Sequence, residues 1–269
     1  TAVRKLIHSE SWLVFMVATV VAVAMMLFGP LSSLLNLATN RHVLQESTIS
    51  AANDLAAEVQ QEAITLLKND DNLPLKDTKV NVFGWGSTNP VYGVTGSGSM
   101  SDAYPTVSIL DGMRNAGLET NEDLSKLYTD YRTDRPVVAI NDQDWTLPEV
   151  PADQYSDDLL SEAKDFSDQA VIVITRVGGE GSDLPTDMKG ENIVYDENSP
   201  DYQDFEAGEH FLQLSQTERN MIDMVTSNFD DVTLVYNGAN AFQFDFLDDY
   251  PQIASVLWCP PAGQTGFNA

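Results

Sequence analysis

Three kinds of hydrophobic pattern follow one another along this chain. Residues 12–28 are almost wholly apolar, with no period that would leave a polar face. Residues 47–68 then place Ile49, Leu55, Ala56, Val59, Ala63, Ile64 and Leu67 near a helical period, which predicts a single amphipathic helix. Asn69-Asp-Asp-Asn72 and Pro74 stop it. Beyond that point short β-branched runs alternate with helical patterns. Strands are expected over 79–83, 136–140, 170–175, 232–236 and 253–258. Helices are expected over 107–116, with Gly117 as C-cap, 123–131 and 157–166, and from the capping box Ser215-Gln-Thr-Glu218 to about residue 227. The segments up to about residue 153 and over 187–208 read as irregular, acidic or polar connections. Strands alternating with helices predict an α/β fold, a mainly parallel sheet sandwiched between helices.

The first pattern is too long and too uniform for the core helix of a small domain. No charged residue occurs from Ser11 to Asn40, and with Leu31-Ser-Ser-Leu-Leu35 the run reaches the ~20 residues needed to cross a ~30 Å hydrocarbon layer. Trp12 stands at one edge, and Arg4 and Lys5 precede it, which puts the N-terminus in the cytoplasm. A cleaved signal peptide fits less well, because the apolar run is long and no small-x-small site follows. The expected division is a cytoplasmic stub over 1–10, a transmembrane anchor over 11–40, a linker over 41–51 and an extracellular domain over 52–269. Localisation is then the cell membrane, single-pass. The final Gly263-Gln-Thr-Gly-Phe-Asn-Ala269 reads as a helix start, so the chain is expected to be a piece of a longer protein.

Charge narrows the function classes. Of 269 residues, 41 are acidic and 14 basic, for a formal net charge of −27, which repels nucleic acid. Hydrophobic content of 43% supports a real core, so the acidity belongs to the surface. Cys259 is the only cysteine and lies in an apolar run, where a core role is expected. His8, His42 and His210 lack metal-ligand spacing, and Asp70-Asp71 and residues 196–201 lack a calcium-loop pattern. No metal or organic cofactor is expected.

Candidate chemistry concentrates in Arg176-Val-Gly-Gly-Glu-Gly-Ser-Asp-Leu-Pro185, directly after the apolar run Ala170-Val-Ile-Val-Ile-Thr175. A carboxylate flanked by Gly179 and Gly181 just beyond a buried strand lies where open α/β sheets place ligand-binding groups, and marks Glu180 as a candidate general acid. The competing reading is a solvated loop carboxylate. Asp183 either orients this loop or caps it. Trp85 either stacks on a ligand ring or packs in the core. The loop Gly96-Ser97-Gly98-Ser99 lacks the Lys-Ser/Thr ending of a phosphate cradle.

Five segments in order resemble the α/β sandwich domain of glycoside hydrolase family 3. They are Glu62-Ala-Ile-Thr-Leu-Leu-Lys-Asn69 with Asn72-Leu-Pro-Leu75, Val80-Asn-Val-Phe-Gly84, the Gly96–Ser99 loop, Arg176 to Asp183, and residues 235–239 with 258–269. The resemblance implies a β-glucosidase- or β-xylosidase-type enzyme acting on β-glycosides or oligosaccharides, with Glu180 as acid/base and Gly96, Ser97, Asp183 and Trp85 near the substrate. It also implies a (β/α)₈ barrel carrying an Asp nucleophile, beyond residue 269 in the swapped domain order or on a second chain, so this piece alone is expected to be inactive. Where relatives have Asp-Arg, this chain has Asp183-Leu184, and contacts of that Arg do not carry over. Two alternatives stay open: a non-catalytic saccharide- or partner-binding membrane protein, and a β-N-acetylglucosaminidase.

Overall fold

The computed structural model describes residues 10–28, 45–94, 96–100, 104–132, 136, 138–139 and 142–269. The chain divides into two compact units, Thr1–Ser50 and Ala51–Ala269. In the first lies helix α1, Glu10–Phe28, whose Leu13, Val14, Phe15 and Val20 are each more than 60% exposed. Among the described residues no helix is long and apolar enough to cross a membrane. Residues 1–9 and 29–44, which include Arg4, Lys5 and much of the expected anchor and linker, lie outside the described residues.

The second unit is built on a six-stranded sheet of order β1-β8-β7-β6-β2-β3. Its strands are β1 (Thr65–Asn69), β2 (Lys79–Phe83), β3 (Glu119–Thr120), β6 (Gln169–Arg176), β7 (Asp231–Gly238) and β8 (Ile253–Cys259). Every pairing is parallel except β1 with β8. β6 is buried at all eight positions, as a central strand covered on both faces must be. Its side chains still alternate: Ala170, Ile172 and Ile174 join one core, Val171 and Val173 the other. On the first face pack α4 (Glu122–Tyr131), α5 (Asp157–Phe166) and α6 (Gln216–Asn228), through Leu124, Tyr128, Ala163, Met221 and Val225. On the second, α3 (Ile109–Asn115) brings Ile109 and Leu110, and Phe267 joins them.

The expected single helix over 47–68 divides in two. Helix α2 runs Glu46–Ala63, and Thr65–Asn69 becomes the antiparallel edge strand β1. Gln60 sets the break: its amide is buried and donates to the Pro260 carbonyl at 2.9 Å and to Cys259 Sγ at 3.3 Å. Beyond it β8 offers the backbone a ladder, and the Asn69 side chain accepts from the Asn72 and Leu73 amides to close the turn. The helical period lost to a tertiary partner.

Residues 136–140 also depart from expectation. Among the described residues of this stretch the strand is Val138–Ala139 (β4), and it pairs antiparallel with Asp142–Gln143 (β5) in a separate hairpin rather than in the main sheet. The segments read as irregular pack on each other. Trp145 donates its amide to the Val194 carbonyl and Val194 to that of Gln143, and Trp145, Leu147, Met188, Phe205 and Phe211 make a third apolar core. The segment 187–208 is therefore polar outside and apolar beneath. Residues 266–268 form a 3-10 turn where a helix start was expected.

Candidate active site

The parallel strands β2, β6, β7 and β8 all end on one edge of the sheet, so the loops following them converge there. After β6 the chain makes a tight turn closed by an antiparallel bridge between Gly179 and Ser182. Glu180 is exposed at its tip, next to Gly181, whose φ of +77° an L side chain would strain. After β2 a 3-10 turn, Trp85–Ser87, begins the loop that reaches Gly96. Gly96 lies against Glu180: a Cβ added there would stand 2.7 Å from Glu180 Cβ and 3.0 Å from its carboxylate Oε2. Two segments 84 residues apart, each singled out in the sequence, thus meet at one carboxylate.

The roots of these loops are fixed by buried polar side chains. Arg176, the last residue of β6, is fully buried and donates to both carboxylate oxygens of Glu218 at 2.7 Å. Its remaining bonds go to the carbonyls of Phe211, Gln213 and Thr175, at 2.6 to 2.8 Å. Burial alone would lower its pKa, but the Glu218 carboxylate outweighs that and holds the guanidinium above its ordinary value. Glu218 meanwhile accepts from the Ser215 amide, completing the capping box of α6. At the end of β7, Asn237 accepts from the Val91 amide at 2.6 Å and donates to the Cys259 carbonyl at 3.0 Å, which pins the β2 loop between two strand ends. Asn240 donates to the Val177 carbonyl at 3.2 Å, at the foot of the Glu180 turn.

The other candidates are placed as follows. Asp183 is exposed and directly follows Ser182, which closes the turn. Ser97 is in the short 3-10 segment Gly96–Gly98, and its side chain lies outside the described residues. Trp85 is 1% exposed, inside the first core, with its indole N–H donating to the Arg132 carbonyl. The side chain is thus packed inside the core.

The sequence reading missed Glu149. It is 4% exposed and accepts from the Trp85 amide at 3.0 Å and from its neighbour Val150 at 2.8 Å. Burial pushes its carboxyl up to about 8; the two amides oppose this, and Glu218 and Asp204 add to it. The signal was an acidic residue inside the Pro-flanked apolar run Leu147-Pro-Glu-Val-Pro151. Among the described residues no three His, Cys, Asp or Glu side chains gather as a metal site.

The model of the glycosyl hydrolase family 3 C-terminal domain matches residues 64–269. Over 216 residues the chain is 31% identical to a beta-glucosidase of Ruminococcus albus, covering 78% of this chain and 20% of that protein. It is 29% identical over 224 residues to beta-glucosidase A of Butyrivibrio fibrisolvens, covering 79% and 26%. The chain thus spans between 20% and 26% of the length of these curated relatives. Among solved structures, a beta-glucosidase from Paenibacillus barengoltzii superposes with a TM-score of 0.64 at 26% identity, covering 84% of this chain and 22% of that one. Beta-glucosidase 3B from Thermotoga neapolitana, in complex with glucose, gives 0.60 at 26% identity, covering 81% and 28%.

Proposed function

The chain belongs to glycoside hydrolase family 3, and from that premise we propose that residues 52–269 are the sandwich half of an exo-acting β-glycosidase. Its substrates are terminal β-linked glucosides or xylosides, hydrolysed with net retention. Glu180 is the acid/base. The observation that carries this reading is the convergence of the Gly96 loop on Glu180, an exposed carboxylate on a tight turn over a fixed root.

A retaining hydrolase needs two carboxyl groups. In the first step the nucleophile attacks the anomeric carbon while Glu180 gives its proton to the departing glycosidic oxygen. In the second, Glu180, now a carboxylate, takes a proton from the water that displaces the nucleophile. The nucleophile is an Asp on a (β/α)₈ barrel, in cis or on a second chain, and residues 1–269 alone are inactive. The packing of Gly96 on Glu180 restricts the carboxylate to few positions, which is how the barrel would find it aligned.

The same reading anchors the protein in the cell membrane through residues 11–40, with the N-terminus cytoplasmic and the hydrolase outside. Its support is the uncharged run from Ser11 to Asn40 and the exposed apolar side chains of α1.

The test is hydrolysis of aryl β-glucoside and β-xyloside by the full-length or co-purified protein beside Glu180→Ala, with and without azide. Loss of turnover in the variant, partly rescued by azide, is the expected result. Full activity in the variant moves the acid elsewhere. Activity in neither protein, with the barrel intact, favours a saccharide-binding role.

A further inference from the structure

We infer that Glu149 is a positioning residue for the Glu180 site: its buried carboxyl holds the turn after β2, and through that turn the loop that lies against Glu180. This rests on the proposed role of Glu180, but the hold itself is a property of the fold and is measurable without turnover.

The links are all short. Glu149 Oε2 accepts the amide of Trp85, the first residue after Gly84. The carbonyl of Trp85 then accepts the amides of Thr88 and Asn89, so fixing Trp85 fixes the next turn. Val91 is tied to Asn237, the Tyr92 carbonyl accepts the Gly263 amide, and Gly96 reaches Glu180. Of the side chains that accept this loop's backbone amides, the amide of Asn237 does not titrate and the carboxyl of Glu149 does.

What faces Glu149 decides which state keeps the anchor. From α6 comes Glu218, which lines the same small cavity with Trp85 and Thr175, and from the 187–208 segment comes Asp204. From α4 come Tyr128 and Tyr131, and from the segment before α5 Tyr155. Tyr128 meets the hydroxyl of Tyr155 and the backbone of Gly84. Arg176 lies beyond Glu218, with its guanidinium committed to that carboxylate and three carbonyls. Among the described residues, the charges that raise Glu149 are the carboxylates of Glu218 and Asp204, and the three phenols feel its charge in turn; the nearby cation on this side is Arg132, beside Tyr131 and Trp85. The neutral carboxyl is the form that fits, in keeping with a value raised to about 8. In the opened turn Glu149 regains its ordinary value, so rising pH favours the opened form, in which the Trp85 amide is released.

The experiment is amide hydrogen exchange of the full-length protein, read on peptides covering residues 84–94 and corrected for intrinsic rates, between pH 6 and 9. Protection is expected to fall about tenfold per pH unit from pH 6 to about 8, inside the window between the ordinary and the raised value, and to level off above it. In Glu149→Gln it stays the same at pH 7 and 9. Unchanged wild-type protection across the range, or an equal fall in the variant, overturns the proposal. Should Glu149→Gln not fold, ¹³C-labelled Glu carboxyls of the wild-type protein decide it: a carboxyl titrating near pH 8, where the loss of protection levels off, supports the anchor, and loss of protection with no such carboxyl overturns it. Kinetics supply a second arm. With a 2,4-dinitrophenyl β-glucoside, whose leaving group needs no proton, the alkaline limb due to Glu180 vanishes. A limb that persists near pH 8 and disappears in Glu149→Gln belongs to Glu149. Absence of activity sinks the glycosidase reading alone, because the exchange result stands without it.

Discussion

Arg176 and Glu218 meet in a buried two-pronged ion pair that ties the end of the central strand to the first turn of α6. Arg176 leads directly into the turn that carries Glu180. Glu218 is at once an ion-pair partner and the capping-box acid of its helix. The pair leaves no donor or acceptor idle, which is the condition under which buried charges are tolerated.

Removing one partner should therefore cost much more than a surface ion pair would. Arg176→Met leaves the Glu218 carboxylate with only the Ser215 amide and removes the guanidinium from three carbonyls, and about 3–5 kcal/mol of stability is expected to go. Denaturant unfolding of the full-length protein measures it. The double variant with Glu218→Gln should recover part of the loss; if the two effects simply add, the pair is not a unit.

Stability should fall with pH across a window set by Glu149. Its carboxyl is pushed from 4.5 to about 8 in the folded protein. Between those values the folded state keeps a proton that the unfolded chain gives up. The stabilisation is thus complete below about pH 4.5 and lost as pH rises through 8, a change of roughly 5 kcal/mol at most. Denaturant midpoints at several pH values check the slope, which Glu149→Gln should flatten. The same variant leaves one of two amides without an acceptor, a loss of about 1–3 kcal/mol at low pH.

Gly96→Ala should damage catalysis more than folding. The added methyl would stand 2.7 Å from Glu180 Cβ, at a φ of +74°. If Glu180 is the acid/base proposed above, displacing its carboxylate by even part of an ångström is expected to lower kcat about tenfold or more. An unchanged kcat on an aryl β-glucoside would mean the loop does not set the carboxylate.

The Cys259 thiol should be inert in the native protein. Burial raises its pKa to about 11, against the opposing hydrogen bond from Gln60. Thiolate is scarce at neutral pH, and the sulfur is covered. A disulfide-exchange reagent should register this thiol only after denaturation; rapid labelling of folded protein would contradict the packing.

Cell fractionation tests the proposed anchor. The full-length protein should sediment with membranes, resist extraction by alkaline carbonate, and dissolve in detergent. Recovery in the carbonate supernatant would remove residues 11–40 from consideration as a span.

Much of the fold was legible because its signals are local. The run Ala170-Val-Ile-Val-Ile-Thr175 is short, β-branched and apolar on both faces, of the kind that makes a buried strand, and Ser215 with Glu218 states a helix start within four residues. Glycines around a carboxylate after a strand marked Glu180 for the same reason. Where local signals conflicted, the reading failed. Residues 64–68 continue a helical period, yet the paired backbone of β8 and the buried amide of Gln60 make Thr65–Asn69 a strand. A pattern of period 2 or 3.6 records only which residues seek burial, not which neighbour provides it.

The sequence by itself determined the α/β class, the order of the main elements, the family resemblance and the carboxylate on which the chemistry is proposed. These depend on hydrophobic period, chain-local caps and residue types within a few positions of one another. Only the tertiary structure decided that Gly96 lies on Glu180, that Trp85 is core, that Arg176 answers Glu218, and that Glu149 is buried under the turn after β2. Each of these joins residues more than 40 positions apart. Such contacts are set by how the sheet and helices close on one another, and the free energy of a buried charge or a shared hydrogen bond depends on that closure rather than on the residues alone.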